Sequence, residues 1–322
     1  MDLTRLRDEP IGQLIRRKLL YSLFRQSWNI GVTRHPAAVV AGLEGLRKQR
    51  QALDDLLWME ERRDAFAADP FIVRRPGAED EYLIFYEYFP WRENRGRIDC
   101  VQFRDGKFGT TNVSLESPFH LSYPYILPHG DTLAMMPEHA ESRDLSLYRF
   151  DESGVVEGKE TIATDLSLLD STIIHLNGKY WLFATHAGPN DNVELYIYHS
   201  EQVTGAWKEH ALNPVKRDRA NARPAGQFIH HAGELFRPAQ DCASHYGSGI
   251  IINRLKTLTE DAFEEEPVSE LRPAMGSRYD FGLHTISSAG GYTVIDGARI
   301  ESSIHPRFDC LGRYVHPNAG RR

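Results

Sequence analysis

Pairs of short apolar segments, each pair separated by a turn, recur about every 50 residues from residue 65 onward. In each pair the second segment is rich in aromatic or aliphatic residues, as a buried strand would be. The five pairs are 69–73 with 82–87, 123–127 with 132–138, 170–174 with 180–185, 223–229 with 235–240, and 284–287 with 292–296. A repeat of this length is typical of one four-stranded propeller blade. The sequence therefore predicts an all-β chain with a five-bladed β-propeller over residues 65–305.

The segment before the repeats has a different pattern. Residues 1–27 and 38–62 carry apolar residues at helical spacing, and Trp28–Val32 between them is typical of a strand. We predict an N-terminal helical extension over residues 1–64, in which a strand near 28–34 completes the last blade, and a C-terminal tail over 306–322. An irregular β-sandwich with accidental spacing is the alternative fold, and a basic membrane-surface helix is an alternative for the first segment.

Composition argues against a nucleic-acid-binding protein and against a membrane-spanning one. Hydrophobic residues make up 41% of the chain and charged residues 26%, and the net charge is -7. A mildly acidic chain is a poor candidate for binding nucleic acid, and no apolar run approaches the roughly 20 residues of a membrane span. Cys100, Cys242 and Cys310 lie far apart, which argues against a disulfide framework and indicates a reducing, cytoplasmic location. The oligomeric state is left open.

Polar residues flank the predicted hairpins at one end. In a hairpin, the start of the first strand and the end of the second lie at the same edge, so these residues should meet at the mouth of a central channel. The catalytic candidates are Asp69, Glu87, Glu138 and Asp170. The candidates for binding substrate are His186, Arg223, Gln240, Asp241 and His284.

Several carboxyl groups in one pocket suit glycoside chemistry. Cleavage needs one acid that protonates the leaving oxygen and one carboxylate that acts as nucleophile or base, and crowding separates their pKa values. We assign Asp69 as base or nucleophile, Glu138 as proton donor and Asp170 as an orienting group. Each residue also has a structural interpretation: the acids can cap turns or end strands in solvent, and the histidines can simply pack.

Other residues receive structural interpretations. Arg223 and Asp241 can form an ion pair between neighbouring strands, and Trp91 and Trp181 are assigned to the core. His230 and His231 are assigned to a turn. His120 and His129 have no ligand partner at a recognisable spacing, and no zinc or nucleotide motif occurs, so we expect no metal and no cofactor.

Specific motifs in the third and fourth repeats suggest a family. They are Asp170–Ile173, Trp181–Thr185, Asn213–Val215, Ala222–Gly226, Arg237–Cys242 and Tyr246–Gly247, with Ala68–Phe71 and Leu121–Pro124 upstream. Over roughly residues 28–300 the chain resembles the N-terminal domain of plant glucosamine inositolphosphorylceramide transferases and its stand-alone bacterial relatives. In the plant proteins a glycosyltransferase domain follows, and we expect this chain of 322 residues to lack it.

The resemblance implies a five-bladed propeller like that of arabinanase-, xylosidase- and fructosidase-type glycoside hydrolases. Those enzymes place one Asp in the first blade, a second Asp in the middle of the ring and a Glu further on. Asp69 and Asp170 match the first two positions, but the fourth repeat opens with Arg223. Three functions stay open: a glycosidase or transglycosidase acting on a sugar or glycoconjugate, a non-catalytic glycan-binding or accessory propeller, and a biosynthetic enzyme whose Arg223 and histidines bind an anionic substrate.

Overall fold

The computed structural model describes residues 24–302. Antiparallel strands dominate it, because short apolar segments alternate with turns that glycine and aspartate make. In chain order the elements are β1 (Phe24–Thr33), α1 (Ala37–Val40), α2 (Leu46–Asp54), β2 (Leu57–Trp58), β3 (Ala65–Arg74), β4 (Glu81–Pro90), β5 (Arg97–Arg104), β6 (Lys107–Leu115), β7 (Ser122–His129), β8 (Thr132–Glu138), β9 (Asp144–Phe150), β10 (Val156–Thr164), β11 (Leu168–Leu176), β12 (Lys179–His186), β13 (Glu194–Ser200), β14 (Lys208–Glu209), β15 (Lys216–Arg217), β16 (Ile229–His231), β17 (Glu234–Asp241), β18 (Gly249–Leu258), β19 (Phe263–Leu271), β20 (Ile286–Ala289) and β21 (Tyr292–Ser302).

Five sheets stand round one axis, which confirms the predicted five-bladed propeller. The first four are β3–β6, β7–β10, β11–β14 with β15 also paired to β13, and β16–β19. The fifth has the order β2-β1-β21-β20. The first strands of neighbouring blades contact one another: Ile72 in β3 donates to Ser287 in β20, and Tyr123 in β7 bonds Thr172 in β11. These strands are therefore the innermost ones.

Burial follows this arrangement. Inner strands such as β3 and β7 are buried along most of their length, whereas outer strands such as β6 and β10 are largely exposed. Apolar side chains on facing sheets interlock between the blades; Phe71, Phe85 and Tyr125 lie in the largest such cluster. The burial of these faces is what drives one blade onto the next.

The ring closes through the N-terminal strand. Strand β1 pairs with β21 over its whole length, from Phe24 opposite Ser302 to Thr33 opposite Thr293. The strand expected near 28–34 is therefore present and lies in the fifth blade. The divisions at residues 64 and 305 remain predictions.

The helical part of the prediction needs correction. Residues 1–23 and the tail 306–322 lie outside the described residues, but 24–27 belong to β1 rather than to a helix. The helix expected over 38–62 is two short helices, because Gly42 and Gly45 adopt φ values of 78° and 101° that interrupt helical geometry. Its last part is strand β2, which pairs with Gly31 and Val32.

The fourth blade contains a second correction. His230 and His231 lie in strand β16, paired with Leu235 and Glu234, and not in the turn. The turn that follows uses Ala232 and Gly233, both with positive φ. Between residues 24 and 302 the structure has no helix with the length and apolar character needed to cross a bilayer.

Candidate functional site

The inner strands of the first three blades share a distortion at one end of the ring. Each has a β-bulge whose central residue takes a left-handed conformation: Asp69 (φ 51°), Tyr123 (φ 42°) and Asp170 (φ 50°). Bulges redirect a side chain out of the regular alternation, and non-glycine residues rarely adopt this conformation without support from surrounding contacts. Three blades therefore present a polar side chain at equivalent places on the axis.

The partner strands end beside these bulges. Three residues of these partner strands occupy equivalent positions. Each pairs with the residue just before the bulge: Glu87 with Ala68, Glu138 with Ser122 and Thr185 with Leu169. The hairpin geometry expected from the sequence is thus present in all three blades. It places two aspartates and two glutamates at one end of the ring.

The first group of contacts joins Asp69, His284 and Asp296. Nδ1 of His284 lies 2.5 Å from Oδ2 of Asp296, and Nε2 lies 3.8 Å from Oδ1 of Asp69. Thr285 donates its hydroxyl to Oδ1 of Asp69 at 2.7 Å, and the Tyr123 N–H donates to Oδ2 at 3.3 Å. All of these side chains are buried, so the imidazole stands between two carboxyl groups that reach little water.

These charges set the protonation of the group. Burial by itself lowers the pKa of His284, but the carboxylates of Asp296 and Asp69 outweigh it and raise the pKa to about 9. Burial raises the pKa of Asp69 to about 6, against the opposing effect of the His284 charge. Trp28 stacks on the imidazole with ring centroids 4.1 Å apart and planes 13° apart. Near neutral pH, His284 is therefore a cation held flat between an indole and two carboxylates.

The second group joins Asp170, Arg223 and Gln240. Arg223 donates its Nε–H to Oδ2 of Asp170, and Nε2 of Gln240 donates to the same oxygen at 2.8 Å. A further guanidinium nitrogen, Nη1, donates to Oδ1 of Asn192 at 3.4 Å. Asp170 and Arg223 are buried, so the ion pair is largely shielded from solvent. This contact joins the third blade to the neighbouring fourth blade.

Glu138 lies between the two groups. Its Oε2 atom accepts the Asp170 backbone N–H at 3.1 Å, and its side chain is only half-buried. Burial and the charge of Asp170 raise the pKa of Glu138 to about 8, although Arg223 acts in the opposite direction. Near neutral pH this carboxyl group is protonated and reachable, as a general acid must be.

Glu87 has a partner that sequence reasoning missed. Nε2 of His120 lies 3.4 Å from Oε1 of Glu87, and the Gly96 N–H donates to Nδ1 of His120 at 2.9 Å. Because Nδ1 accepts a hydrogen bond, the neutral imidazole carries its proton on Nε2, the nitrogen that lies nearest to Glu87. Burial lowers the pKa of His120 and, with the charge of Asp69, raises the pKa of Glu87 well above its usual range. Burial therefore favours the uncharged form of both groups.

Gly96 is required beside this pair. A Cβ atom there would lie 2.7 Å from Oε1 of Glu87, 2.8 Å from Cε1 of His120 and 2.5 Å from the Leu121 carbonyl oxygen. No short sequence spacing links His120, in the loop from β6 to β7, to Glu87 in β4, so only the fold could reveal the contact.

Two predicted binding residues lie apart from these groups. Asp241 pairs with Arg272 at 2.6 Å, so the suggested Arg223–Asp241 ion pair is wrong. His186 bonds the Tyr198 hydroxyl at 2.6 Å and packs against Tyr196. Contacts with their own blades account for both side chains.

Further predicted assignments can be compared directly. Trp181 is buried, as expected for a core residue, whereas Trp91 is half-buried and stacks against the Arg25 guanidinium, 3.9 Å from its ring centroid. His129 pairs with Glu160 on the outer strand. Asp296 ends the second segment of the fifth repeat, so hairpin geometry predicts it at the mouth of the channel, although no role in the site was assigned to it. It accepts hydrogen bonds from the His284, Thr285 and Asp69 backbone N–H groups.

A metal ion would have to use the first group. Asp69, His284 and Asp296 each offer one ligand atom, and these atoms lie within 4.8 Å of one another. However, Asp296 already accepts three backbone N–H groups and Nδ1 of His284, and a histidine with a raised pKa holds the proton that a metal would replace. The donor set fits a hydrogen-bonded triad better than a coordination site.

Comparison with known proteins identifies the family. Residues 59–277 match the family described as Glucosamine inositolphosphorylceramide transferase 1, N-terminal. The chain belongs to this family. The resemblance inferred from the sequence motifs is thereby confirmed.

Curated members of the family come from plants. The rice protein Glucosamine inositolphosphorylceramide transferase 1 (Oryza sativa subsp. japonica) is 30% identical over 263 residues, covering 77% of this chain and 35% of the rice protein. The Arabidopsis thaliana protein of that name is 28% identical over 253 residues, covering 74% and 33%. The chain thus spans about a third of the length of these relatives.

Solved structures show the same fold at low sequence identity. An α-L-arabinofuranosidase from Podospora anserina superposes with a TM-score of 0.54 at 11% identity, covering 74% of this chain and 92% of that one. An exo-β-1,3-galactanase from Clostridium thermocellum gives 0.52 at 12% identity, covering 67% and 54%. The family domain is therefore a propeller of the kind found in glycoside hydrolases.

Proposed function

We propose that this family domain binds a sugar or glycoconjugate at the acidic end of the ring and cleaves or transfers a glycosidic bond. Glu138 donates the proton to the leaving oxygen, and Asp69 acts as base or nucleophile. Asp170, fixed by Arg223 and Gln240, orients Glu138 through its backbone N–H. Glu87, which lies 3.4 Å from His120 and has a pKa raised by burial and by the charge of Asp69, supplies a second carboxyl group near Asp69.

The observation that carries this proposal is the different surroundings of two carboxyl groups at one end of the ring. Asp69 lies 3.8 Å from the His284 imidazole, whereas Glu138 is half-buried and accepts the Asp170 backbone N–H. The pKa of Asp69 is raised to about 6 and that of Glu138 to about 8, so a range exists in which one is ionised and the other protonated. Glycosidases need this division between a base and an acid. The cation of His284 keeps the pKa of Asp69 from rising further, whereas burial and the charge of Asp170 raise the pKa of Glu138 against the opposing charge of Arg223.

The test compares two carboxamide variants on two kinds of substrate. A panel of aryl and alkyl glycosides of arabinose, xylose, galactose and glucose is supplied to wild type, Glu138→Gln and Asp69→Asn. We expect Glu138→Gln to lower kcat on alkyl glycosides about 100-fold or more, and much less on p-nitrophenyl glycosides, whose leaving group needs no proton. Asp69→Asn should lower kcat on both.

Matched controls come from outside the acidic end. Asp105→Asn, in the turn between β5 and β6, and Glu160→Gln, on β10, replace the same residue types where each pairs with a surface partner. They should leave turnover unchanged. Equal activity of wild type and both site variants on every substrate would refute a catalytic role.

A second candidate function is glycan binding without catalysis. The observation that favours it is the burial of Asp69 and Asp170, with 6% and 2% of their surfaces exposed and their oxygens already hydrogen-bonded. Such a propeller would present a sugar or glycolipid to a separate transferase, in keeping with the transferase name of the plant relatives. Here Asp69→Asn would keep full ligand affinity, while Arg223→Ala or His284→Ala would lose it.

The anionic-substrate alternative has less support. Arg223 and His284 are both engaged by carboxylates, so neither presents a free positive charge to a ligand.

Cys100 and Cys242 are free and buried, and a cytoplasmic location stays a prediction from the sequence.

A further inference from the structure

One aromatic side chain stands between the two charged groups of the site without belonging to either. Tyr246 lies in the loop from β17 to β18, and its ring meets the His284 imidazole edge-on, with centroids 5.2 Å apart and planes at 89°. On the other side, the Arg223 guanidinium carbon lies 5.4 Å from the ring centroid. The ring thus spans the gap between the cation of the first group and the cation of the second.

The loop holds this ring in place. Gly247 takes a left-handed conformation with φ 66°, and a Cβ there would lie 2.8 Å from the Trp28 indole and 3.2 Å from Cβ of His284. The Leu283 N–H donates to the Gly247 carbonyl at 2.8 Å, and Ser248 donates both its N–H and its hydroxyl to the Asp241 carbonyl. Tyr246 is therefore preorganised by contacts with the fifth blade.

The Tyr246 side chain packs against other residues and is also partly exposed to solvent. Protein surrounds it closely enough that burial, with the nearby charges of Asp170 and Asp69, raises the pKa of its hydroxyl, yet 36% of its surface reaches solvent. The phenol ring therefore packs against both charged groups and can still be reached from solvent. Glu138, at the same end of the ring, is also half-buried, whereas Asp69 and Asp170 are almost inaccessible.

The hydroxyl of Tyr246 makes no hydrogen bond to any residue between 24 and 302. By contrast, the hydroxyl of Tyr123, on the axis below, is fully engaged with Thr172 and Gly226. The Tyr246 hydroxyl is thus free to exchange a hydrogen bond with a ligand at this end of the ring.

We propose that Tyr246 contacts the bound sugar directly and selects it, its hydroxyl exchanging a hydrogen bond with one sugar hydroxyl group. This inference rests on the proposed sugar site and adds a specificity-determining residue to it. The ligand class is a sugar unit with a hydroxyl group at the matching position, because a deoxy sugar would leave the phenol unpaired once water is expelled.

The experiment measures affinity rather than turnover. Methyl glycosides of arabinose, xylose, galactose and glucose, and the monodeoxy analogues of whichever binds, are titrated into wild type, Tyr246→Phe and Tyr246→Ala by ligand-observed NMR. We expect Tyr246→Phe to weaken binding about tenfold and Tyr246→Ala to weaken it more. One monodeoxy analogue should bind wild type as weakly as the parent glycoside binds Tyr246→Phe, and should lose nothing further in that variant.

The control is Tyr180→Phe, at the opposite edge of the third blade, which should bind like wild type. The Tm of Tyr246→Phe should also match wild type, since its hydroxyl has no protein partner to lose. If a glycoside binds wild type and Tyr246→Phe equally, this inference is wrong while the sugar site stands. If no glycoside binds wild type, both are refuted. If Tyr246→Phe loses affinity while Asp69→Asn and Glu138→Gln keep full activity, the catalytic proposal fails and this one holds.

Discussion

Arg223 of the fourth blade donates its Nε–H to the carboxylate of Asp170 in the third blade, and neither side chain has more than a tenth of its surface exposed. The related glycosidase architecture led us to look for a third acid where Arg223 stands. The structure instead has a cation there, whose partner is the Asp of the preceding blade. The two residues form one unit, so their variants should be interpreted together.

Removing Arg223 should be costly because it leaves a buried charge unpaired. We expect Arg223→Met to lower the free energy of unfolding by about 3–5 kcal/mol. The double variant Asp170→Asn/Arg223→Met should recover a large part of that loss, since no charge is left alone. Urea denaturation measures both.

Arg62→Met is the control for this comparison. Arg62 also pairs with an aspartate, Asp64, but the two side chains are 61% and 64% exposed. A cost of about 1 kcal/mol or less is expected there. Equal losses in Arg223→Met and Arg62→Met would show that the Asp170 pair is not buried in solution.

The pH dependence of turnover should be bell-shaped. Asp69 must be ionised to act as base, so activity rises as pH increases through about 6, the pKa to which burial raises it. Glu138 must be protonated, so activity falls as pH increases through about 8. Measuring kcat/KM from pH 4 to pH 10 checks both limbs.

The Glu138→Gln variant distinguishes the acidic limb of the pH profile from the alkaline limb. It has no proton to lose, so its residual activity should rise near pH 6 and then stay level to pH 9, where His284 begins to lose its charge. An unchanged fall near pH 8 in this variant would assign the alkaline limb to another group.

Tyr123 should matter for stability, although it stands where Asp69 and Asp170 stand in the neighbouring blades. Its hydroxyl accepts the Gly226 N–H at 2.6 Å and bonds Thr172 at 2.9 Å, so it joins the second, third and fourth blades. Tyr123→Phe leaves a buried N–H unpaired and should lower the free energy of unfolding by about 1–3 kcal/mol. Tyr180→Phe, measured alongside by urea denaturation, should change it little, and a similar small change in Tyr123→Phe would contradict the expected role.

Gly96 tests the pair formed by Glu87 and His120. Gly96→Ala places a methyl group against both side chains and against the Leu121 carbonyl, so we expect a loss of about 1–3 kcal/mol and a shift of the His120 ring signals in NMR spectra. Gly109→Ala is the control, because its nearest atom would lie 3.5 Å away. If the ring signals of His120 do not move in Gly96→Ala, the close contact is absent in solution.

Local patterns were enough to predict the propeller and the end of it that carries the acids. Strand alternation and the regular turns located each hairpin, and hairpin geometry alone brought Asp69, Glu87, Glu138 and Asp170 to one edge. These features depend on residues close in sequence, which is why they could be predicted.

Contacts between blades could not be predicted in the same way. His120 meets Glu87, and Arg223 meets Asp170 rather than Asp241, because the ring brings together side chains from separate repeats. The left-handed conformation of Tyr123 has no local signal either, since a tyrosine adopts it only under the contacts that hold its ring and hydroxyl. The predicted helix over 38–62 failed for a local reason, two glycines whose effect on the apolar pattern was underestimated.

The pairing of β1 with β21 has a consequence for biosynthesis. Strand β1 leaves the ribosome first, and the backbone N–H and C=O groups that face β21 stay unpaired until β21 has been synthesised. Mutations that weaken the pairing of β1 with β21 should therefore lower the yield of soluble protein in cells more than they lower the free energy of unfolding of the purified, folded protein.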